Sequence, residues 1–361
     1  MLPTFVKLLN VIAIPLRKPR QKSYNFYLSV MVVFYTALTV TSLWHILHGS
    51  YFASNPMNAI LHILVYIVIN VLDVVAILQS GYCKSTRVDD LLQTLEDIRV
   101  FINERSRRRT EDKLVKLQRL DFVLFHATLV PWLVFMSWWV LHVTNFKMLL
   151  VYGLVYFNYY LTSMEVLKIL MLLQLIKHLA CETNRLLFRN LTQRNYLSDA
   201  VLKNYDKLMD CITLFNEAFG LQILGTVIVT PLVMVQAIFF NLSQIVFPSL
   251  MRTIVVNVAT VFKFTLFLIL SFMIATPSRR IAKEFQNARR ICNTFRTNSR
   301  RCDRVERVLE LVSSQLRNRR TSISAAGFFD ADYTIIRNIL VSTVSYVIVF
   351  LQINAKLPKS L

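Results

Sequence analysis

The sequence predicts an all-α, polytopic membrane protein with seven transmembrane helices, a cytosolic N-terminus and an extracellular C-terminus. Three observations predict this class. Of the 361 residues, 55% are hydrophobic and only 17% are charged, whereas about a quarter of the residues in a soluble domain are charged. Apolar runs recur that are long enough to cross hydrocarbon, which takes about 20 helical residues. Finally, the basic residues fall almost entirely on alternate connections between these runs.

The apolar runs predict the spans in chain order. Helices are expected, because a segment within hydrocarbon must satisfy its own backbone hydrogen bonds. The seven runs lie near residues 25–48, 58–81, 121–144, 148–172, 219–247, 251–275 and 333–353.

These spans divide the chain into four parts. Long connections at 82–120 and 173–218 belong to the second part and are expected to be helical and cytosolic. The parts are a cytosolic N-terminal segment (1–24), a six-helix bundle (25–275), a cytosolic helical anchor segment (276–332), and a seventh helix with a short extracellular tail (333–361).

Charge predicts the orientation. The predicted inner segments hold 34 Lys and Arg residues and the outer ones hold 4, and positive residues mark the cytosolic side. The net charge of +20 therefore lies along one membrane surface. Anionic lipid headgroups are the expected partners of this charge, and nucleic acid is not.

The inner connections carry apolar residues at helical spacing. Such stripes predict helices that pack against one another outside the membrane. The fourth span has no break at its inner end, so its helix is expected to continue past Lys177. The stripes are Leu91, Leu92, Leu95, Ile98 and Ile102 after the second span, and Val305, Val308, Leu309, Val312 and Leu316 before the last.

The sequence contains no enzyme motif and indicates no cofactor. The cysteines all fall on the predicted cytosolic side, where thiols stay reduced, and their spacing matches no zinc pattern. Buried structural thiols are the preferred interpretation. The cysteines are Cys83, Cys181, Cys211, Cys292 and Cys302.

Aromatic and histidine side chains share the outer level of several spans. They are open to two interpretations, an aromatic belt at the membrane surface or the wall of a small-molecule pocket. A metal site is not expected from the histidines. The ligand-binding candidates are Trp44, His62, Tyr66, Trp138, Trp139, His142, Tyr152 and Tyr156.

The clear cases of charge inside the membrane are Asp73 in the second predicted span and Lys263 in the middle of the sixth. Charge inside a membrane is costly and is usually paired or functional. The two residues either form a structural pair with each other or take part in ligand binding or gating.

The last span carries one polar stripe. Asn338, Ser342, Ser345, Val349 and Gln352 follow one another at intervals of 4, 3, 4 and 3 residues, so they share a helix face. Such a stripe predicts either hydrogen bonding to another helix or the lining of an aqueous pore.

The same helix carries a family resemblance. Its segment 345–353, with Ser345, Tyr346, five apolar residues, Gln352 and Ile353, resembles the C-terminal signature of insect gustatory receptors. The family's pattern has Thr and Phe where this chain has Ser345 and Ile353. The run Ala326 to Phe329 is similar to the segment that precedes the family's last span.

This resemblance implies a ligand-gated, non-selective cation channel in the plasma membrane of sensory neurons, opened by a small-molecule tastant. Related receptors are tetramers, so a homo- or hetero-tetramer with related subunits is implied, with a ligand pocket in the outer half of each bundle. Bitter or contact chemicals are favoured as stimuli. Gln352 and Ile353 would form the outer constriction, and Tyr346 would pack behind the pore helix.

Two alternatives remain open. A G-protein-coupled receptor also has seven helices, but its N-terminus would lie outside, against the charge asymmetry. A small-molecule transporter fits the span count, but it would need a buried coupling cluster that the sequence does not show.

Overall fold

The computed structural model describes ten elements across most of the chain. Described are residues 33, 36, 37 and 40 and the ranges 56–78, 85–105, 111–143, 146–193, 199–244, 250–297 and 303–356; at some helical positions only the backbone is described. The helices are α1 (Pro56–Leu78), α2 (Ser85–Arg105), α3 (Glu111–Val143), α4 (Phe146–Gln193), α5 (Asp199–Gln244), α6 (Leu250–Thr297), α7 (Asp303–Asn318) and α8 (Thr334–Lys356). The strands are β1 (Ser324–Ala325) and β2 (Phe329–Asp330).

Four of these helices contain a stretch long and apolar enough to cross a membrane. They correspond to the predicted third, fifth, sixth and seventh spans. α1, at the predicted second span, holds a shorter apolar stretch at Ile63–Leu72. The predicted first span, apart from its four described positions, lies outside the described residues. The four stretches are Leu114–Met136, Ala200–Phe239, Thr260–Arg296 and Thr334–Ile353.

Three long helices form the centre of the molecule. α4, α5 and α6 contain 48, 46 and 48 residues, so each is about 70 Å long at the usual helical rise. They pack against one another and extend well beyond a hydrocarbon layer of about 30 Å. The prediction that the fourth span continues past Lys177 is confirmed, since α4 is unbroken to Gln193.

The extensions of these helices form a core outside the predicted spans. α2 packs on α5 and α7 packs on α6. The predicted apolar stripes of α2 and α7 are buried there, except that Val308 is only half-buried. Burial also raises the pKa of the Cys292 thiol to about 12 and raises that of Cys211 further above its usual range. These thiols are protonated and enclosed, as structural cysteines are.

A buried polar network joins the three long helices in this core. The Asn184 amide donates hydrogen bonds to the Glu284 carbonyl oxygen at 2.8 Å and to its carboxylate at 2.9 Å. The Tyr205 hydroxyl donates to Asn184 Oδ1 at 2.6 Å, and Asn204 donates to Thr183 Oγ1 at 2.9 Å. Because each donor depends on its partner's position, the network holds α4, α5 and α6 in register.

The predicted helical segment 276–332 is not helical to its end. After Asn318 it contains the antiparallel hairpin of β1 and β2, which sequence reasoning did not foresee. Ala326 and Gly327 have φ angles of 50° and 88°, and two consecutive positive φ values are typical of a tight hairpin turn. The Ser324 hydroxyl accepts a hydrogen bond from the Gly327 amide at 2.7 Å.

The hairpin is attached to α5. Asn216 donates to the Ser322 carbonyl at 3.1 Å and accepts from the Ser324 amide at 2.8 Å. A Cβ added at Gly220 would lie 2.8 Å from the Ala326 nitrogen, so this glycine permits the close approach of the two backbones. The chain therefore enters α8 from a fixed position on α5.

Candidate pore helix and ligand site

One face of α8 packs against its own chain. Ile335, Ile339 and Thr343 are buried there, against α5 and α6. The Thr343 hydroxyl lies 3.5 Å from Met234 Sδ in α5. Further along the helix, Phe350 meets Phe239 edge to face, with ring centroids 5.8 Å apart. These contacts dock α8 along most of its length.

The predicted polar stripe lies on a different face, and its own chain leaves it uncovered. Asn338, Ser345, Val349 and Gln352 are exposed and Ser342 is half-exposed. The Ser345 hydroxyl donates to the Val341 carbonyl at 3.0 Å. Its oxygen can still accept a hydrogen bond from outside the chain. The stripe therefore offers polar groups to whatever lies outside the single chain.

A third face of α8 is apolar and also uncovered. Its side chains are about half exposed, as with Val344 at 58%. At about 100° per residue, the centres of the packed, polar and apolar faces are separated by roughly 100–150°. The helix is thus three-sided, with only one side used by its own chain. The apolar face consists of Leu340, Val341, Val344, Ile348 and Leu351.

Two residues of the C-terminal signature lie at the edge between the packed and polar faces. Tyr346 is exposed within the single chain, and so is Ile353. The expectation that Tyr346 packs behind the pore helix is therefore not met by contacts within one chain. It stays a prediction about a neighbouring chain.

Asp332 forms an N-terminal cap at the start of α8. The Asp332 carboxylate accepts hydrogen bonds from the Thr334 amide at 2.8 Å and the Thr334 hydroxyl at 2.6 Å. This is the usual pattern at a helix N-terminus, where backbone amides lack partners. Next to the cap, the guanidinium carbon of Arg279 in α6 lies 4.7 Å from the Tyr333 ring centroid. This contact joins α6 to the start of α8.

Most of the predicted ligand-binding side chains lie outside the described part of the structure. Tyr66 is the exception; it is buried in α1. The side chain of Asp73 is also outside the described part, so its predicted pairing with Lys263 stays untested. The others outside it are Trp44, His62, Trp138, Trp139, His142, Tyr152 and Tyr156.

The structure shows a different cluster around Lys263, where α4, α5 and α6 meet. The Lys263 ammonium lies 4.6 Å from the Tyr159 ring centroid and donates to Gln236 Oε1 at 3.4 Å. Such contacts with a ring face and an amide are weaker than an ion pair. Among the side chains that the structure describes, no carboxylate forms an ion pair with this ammonium.

An aromatic stack joins α3 to α6 at the residue that precedes Lys263. Trp132 of α3 stacks on Phe262 of α6, with ring centroids 4.8 Å apart and planes 14° apart. Sequence reasoning found Lys263 but missed Trp132, Tyr159 and Gln236. The sequence could have pointed to them through their depth, because each lies near the middle of its predicted span, as Lys263 does. One cation among aromatic walls can hold a small molecule that offers a hydrogen-bond acceptor and an apolar body.

A second intramembrane charge is already neutralised. Lys168 and Glu165, three residues apart on α4, form an ion pair and are both buried. The Lys168 ammonium lies 6.0 Å from the Phe219 ring centroid. Because each charge has its partner, this pair has a structural role.

Comparison with known proteins gives a family match over nearly the whole chain. Residues 13–356 match the family described as 7tm Chemosensory receptor. No match is found among curated proteins.

Solved structures resemble the whole fold. The insect olfactory receptor OR5 from Machilis hrabei in complex with eugenol superimposes with a TM-score of 0.70 at 13% identity, over 98% of each chain. The same receptor described without eugenol superimposes with a TM-score of 0.68, also at 13% identity and 98% of each chain. The predicted all-α, multi-pass class is confirmed.

Proposed function

The chain belongs to the 7tm chemosensory receptor family, and we propose that it is a ligand-gated cation channel whose pore is lined by the polar face of α8. It is a multi-pass membrane receptor. In finer detail, we propose a gustatory receptor in the plasma membrane of sensory neurons, which responds to bitter or contact chemicals. The resemblance of the C-terminal signature, residues 345–353, supports the gustatory part of this proposal.

The observation that carries the channel proposal is the three-sided character of α8. A polar stripe facing lipid would lose its hydrogen bonds to water, at a cost of several kcal/mol for the stripe as a whole. Several copies around one axis remove this cost. The polar faces then meet water at the centre, and the apolar faces meet lipid or neighbouring subunits. A tetramer of this chain, alone or with related subunits, is the proposed arrangement.

We further propose that the stimulus binds at the Lys263 cluster. One of the similar structures holds eugenol, so a small molecule fits at least one receptor of this fold. Here the Lys263 ammonium would donate to an acceptor on the ligand, and the Trp132, Phe262 and Tyr159 rings would cover its apolar part. Binding there would act on α6, which contacts the start of α8 through Arg279 and Tyr333.

The test of the pore is cysteine accessibility on the three faces of α8, in cells that express only this chain. Single cysteines at Ser345 and Gln352 should react quickly with an aqueous thiol reagent when ligand opens the channel, with a change in current. Cysteines at Leu340 and Val344 are the matched controls on the apolar face and should react slowly. A cysteine at Ile339 tests the packed face in the same way.

Equal reaction rates on the polar and apolar faces would place the pore elsewhere. Absence of any ligand-dependent current from this chain, with normal delivery to the cell surface, would contradict a channel that works without a partner subunit. Addition of a related subunit would then separate the homomeric from the heteromeric arrangement.

A further inference from the structure

Four basic side chains lie where α6 leaves the predicted membrane and α8 enters it. Arg279, Arg280, Lys283 and Arg337 are all exposed. Within the part of the chain that the structure describes, none of the four forms an ion pair. They define what we name the inner basic cluster.

Two cations further from the predicted spans are paired within the chain. Arg296, near the end of α6, lies 3.9 Å from the Glu306 carboxylate and 3.4 Å from that of Glu310. Arg319 pairs with Asp206 at 3.9 Å. Among the described residues, the cations of the inner basic cluster lack such pairs, and so do Arg289 and Arg290 further along α6. The position of the cluster beside two span ends is what distinguishes it.

Two observations place the cluster at the inner membrane surface. The predicted sixth span ends at residue 275, so Arg279 lies about 6 Å beyond it along the helix. The contact between Arg279 and Tyr333 brings this point of α6 to the start of α8, where the predicted seventh span begins. The end of the sixth predicted span and the start of the seventh therefore lie at the same depth.

The nearby carboxylates are already committed to other groups. Asp330 accepts from Arg320 at 3.2 Å and from the Ser322 hydroxyl at 2.8 Å. Asp332 holds the N-terminal cap of α8 through Thr334. Neither of them neutralises the four cations, so the cluster attracts an anion from outside the chain.

An exposed aromatic ring lies at the same level. Phe328, in the turn of the hairpin, is 77% exposed. The hairpin is bound to α5 at Asn216 and Gly220, where the predicted fifth span begins. Phenylalanine is among the apolar side chains that surface-bound segments bury at the boundary between headgroups and acyl chains. An exposed phenylalanine in water loses the hydrophobic stabilisation that it would gain at this boundary.

We propose that the inner basic cluster binds the anionic headgroup of a phospholipid in the cytosolic leaflet, while Phe328 enters the apolar layer at the same depth. Guanidinium and ammonium groups from both α6 and α8 surround the phosphate, so the bound lipid joins the pore helix to the helix that precedes it. This binding site goes beyond the channel function, and its test requires no current.

The test measures lipid binding to the purified full chain in an uncharged detergent. Native mass spectrometry counts bound phosphatidylserine against phosphatidylcholine during a titration. The variant Arg280→Gln/Lys283→Gln removes two cations and retains the contact between Arg279 and Tyr333. At about fivefold in affinity for each basic residue near a membrane surface, the variant should bind phosphatidylserine roughly 25-fold more weakly.

A matched control removes the same charge elsewhere. Arg289→Gln/Arg290→Gln lies on the same helix, about 12 Å further from the membrane, and both residues are exposed. It should bind phosphatidylserine as the unmodified chain does. If both double variants lose phosphatidylserine binding equally, the effect comes from overall charge and the proposed site is wrong. Unchanged binding in Arg280→Gln/Lys283→Gln would overturn it as well.

A second comparison identifies the source of the phosphate. Phe328→Ser should weaken binding of the lipid but not of soluble glycerophosphoserine, because only the lipid has chains beside which the ring can insert. Soluble headgroup should displace the lipid only at far higher concentrations. If it displaces the lipid at equal concentration, the cluster is a site for free phosphate compounds and the lipid proposal fails. Unchanged melting temperatures in phosphatidylcholine confirm that the variants are folded.

Discussion

The cytosolic core and α8 use their helix faces in different ways. In the core, the predicted apolar stripes of α2 and α7 are buried, and buried polar groups such as Asn184 and Tyr205 bond to each other. In α8, one face is buried and two are left uncovered by the chain. The apolar stripes of the core are therefore buried within one chain, whereas α8 leaves two of its faces to be covered from outside the chain.

The difference has a physical cause. In water, an uncovered apolar stripe is costly and has to be buried. In a membrane, an apolar face has no such cost, but a polar face does. Water thus folds the core onto itself, whereas the membrane leaves α8 with an apolar side toward its surroundings and a polar side that we propose lines a pore.

The largest effect is expected from a charge on the polar face of α8. Gln352→Lys should suppress cation current by at least about tenfold, because a ring of like charges in a narrow pore is a steep barrier. Gln352→Glu should favour divalent over monovalent cations for the same reason. Reversal potentials in mixed solutions measure the preference.

Gln352→Asn is the uncharged control and should leave ion selectivity close to that of the unmodified chain. Surface labelling must show equal amounts of all three variants. If ion permeation does not depend on the charge at residue 352, the polar face of α8 does not line the pore.

The next largest effect is expected from the core. Leu309→Ala in α7 removes a side chain that is 1% exposed, and should lower the free energy of unfolding by about 2–5 kcal/mol. Leu311→Ala on the same helix removes a side chain that is 54% exposed, and should change it by less than about 0.5 kcal/mol. Thermal unfolding of the purified chain measures both.

Similar losses in the two variants would show that the exposed side of α7 is also covered, for instance by a neighbouring subunit. The core would then not be complete within one chain. This outcome would remove the contrast with α8, while leaving the channel proposal in place.

The smallest effect is expected at the Lys263 cluster. Lys263→Met keeps the length of the side chain and removes its charge, and should weaken the response to an acceptor-bearing ligand by about tenfold, the value of one hydrogen bond to a charged group. Thr265→Val is the matched control, because Thr265 is exposed and its hydroxyl donates to the Val261 carbonyl of its own helix at 2.8 Å. Dose–response curves from calcium flux measure the shift.

An unchanged curve for Lys263→Met, with ligand-gated currents intact, would assign Lys263 a structural role. The pore proposal would be unaffected by that outcome. A matched shift in Thr265→Val would instead indicate an effect of the helix surface and not of the cluster.

The candidate sites differ in how far the sequence predicts them. The polar stripe of α8 is visible in the spacing of Asn338, Ser342 and Ser345, because residues on one helix share a face by local geometry alone. The Lys263 cluster is not visible in this way. Tyr159, Gln236 and Trp132 come from three other helices, and their meeting depends on how those helices are rotated and staggered.

The hairpin before α8 could not be predicted either, because its partners are distant in sequence. A helical segment was predicted there, but Asn216 and Gly220, about a hundred positions earlier in the chain, bind the hairpin through backbone groups. Nothing in the run from Ser322 to Asp330 indicates these distant partners.

The membrane class, the apolar runs, the stripes of the cytosolic helices and the polar face of α8 can all be predicted from the sequence. Each of these follows from hydropathy and from a helical period of 3.6 residues, which act over a few turns. The sequence does not reveal which face of α8 its own chain covers, that Tyr159 contacts Lys263, or that Arg279 reaches Tyr333. These features arise from packing between helices, where side chains distant in sequence compete for the same space.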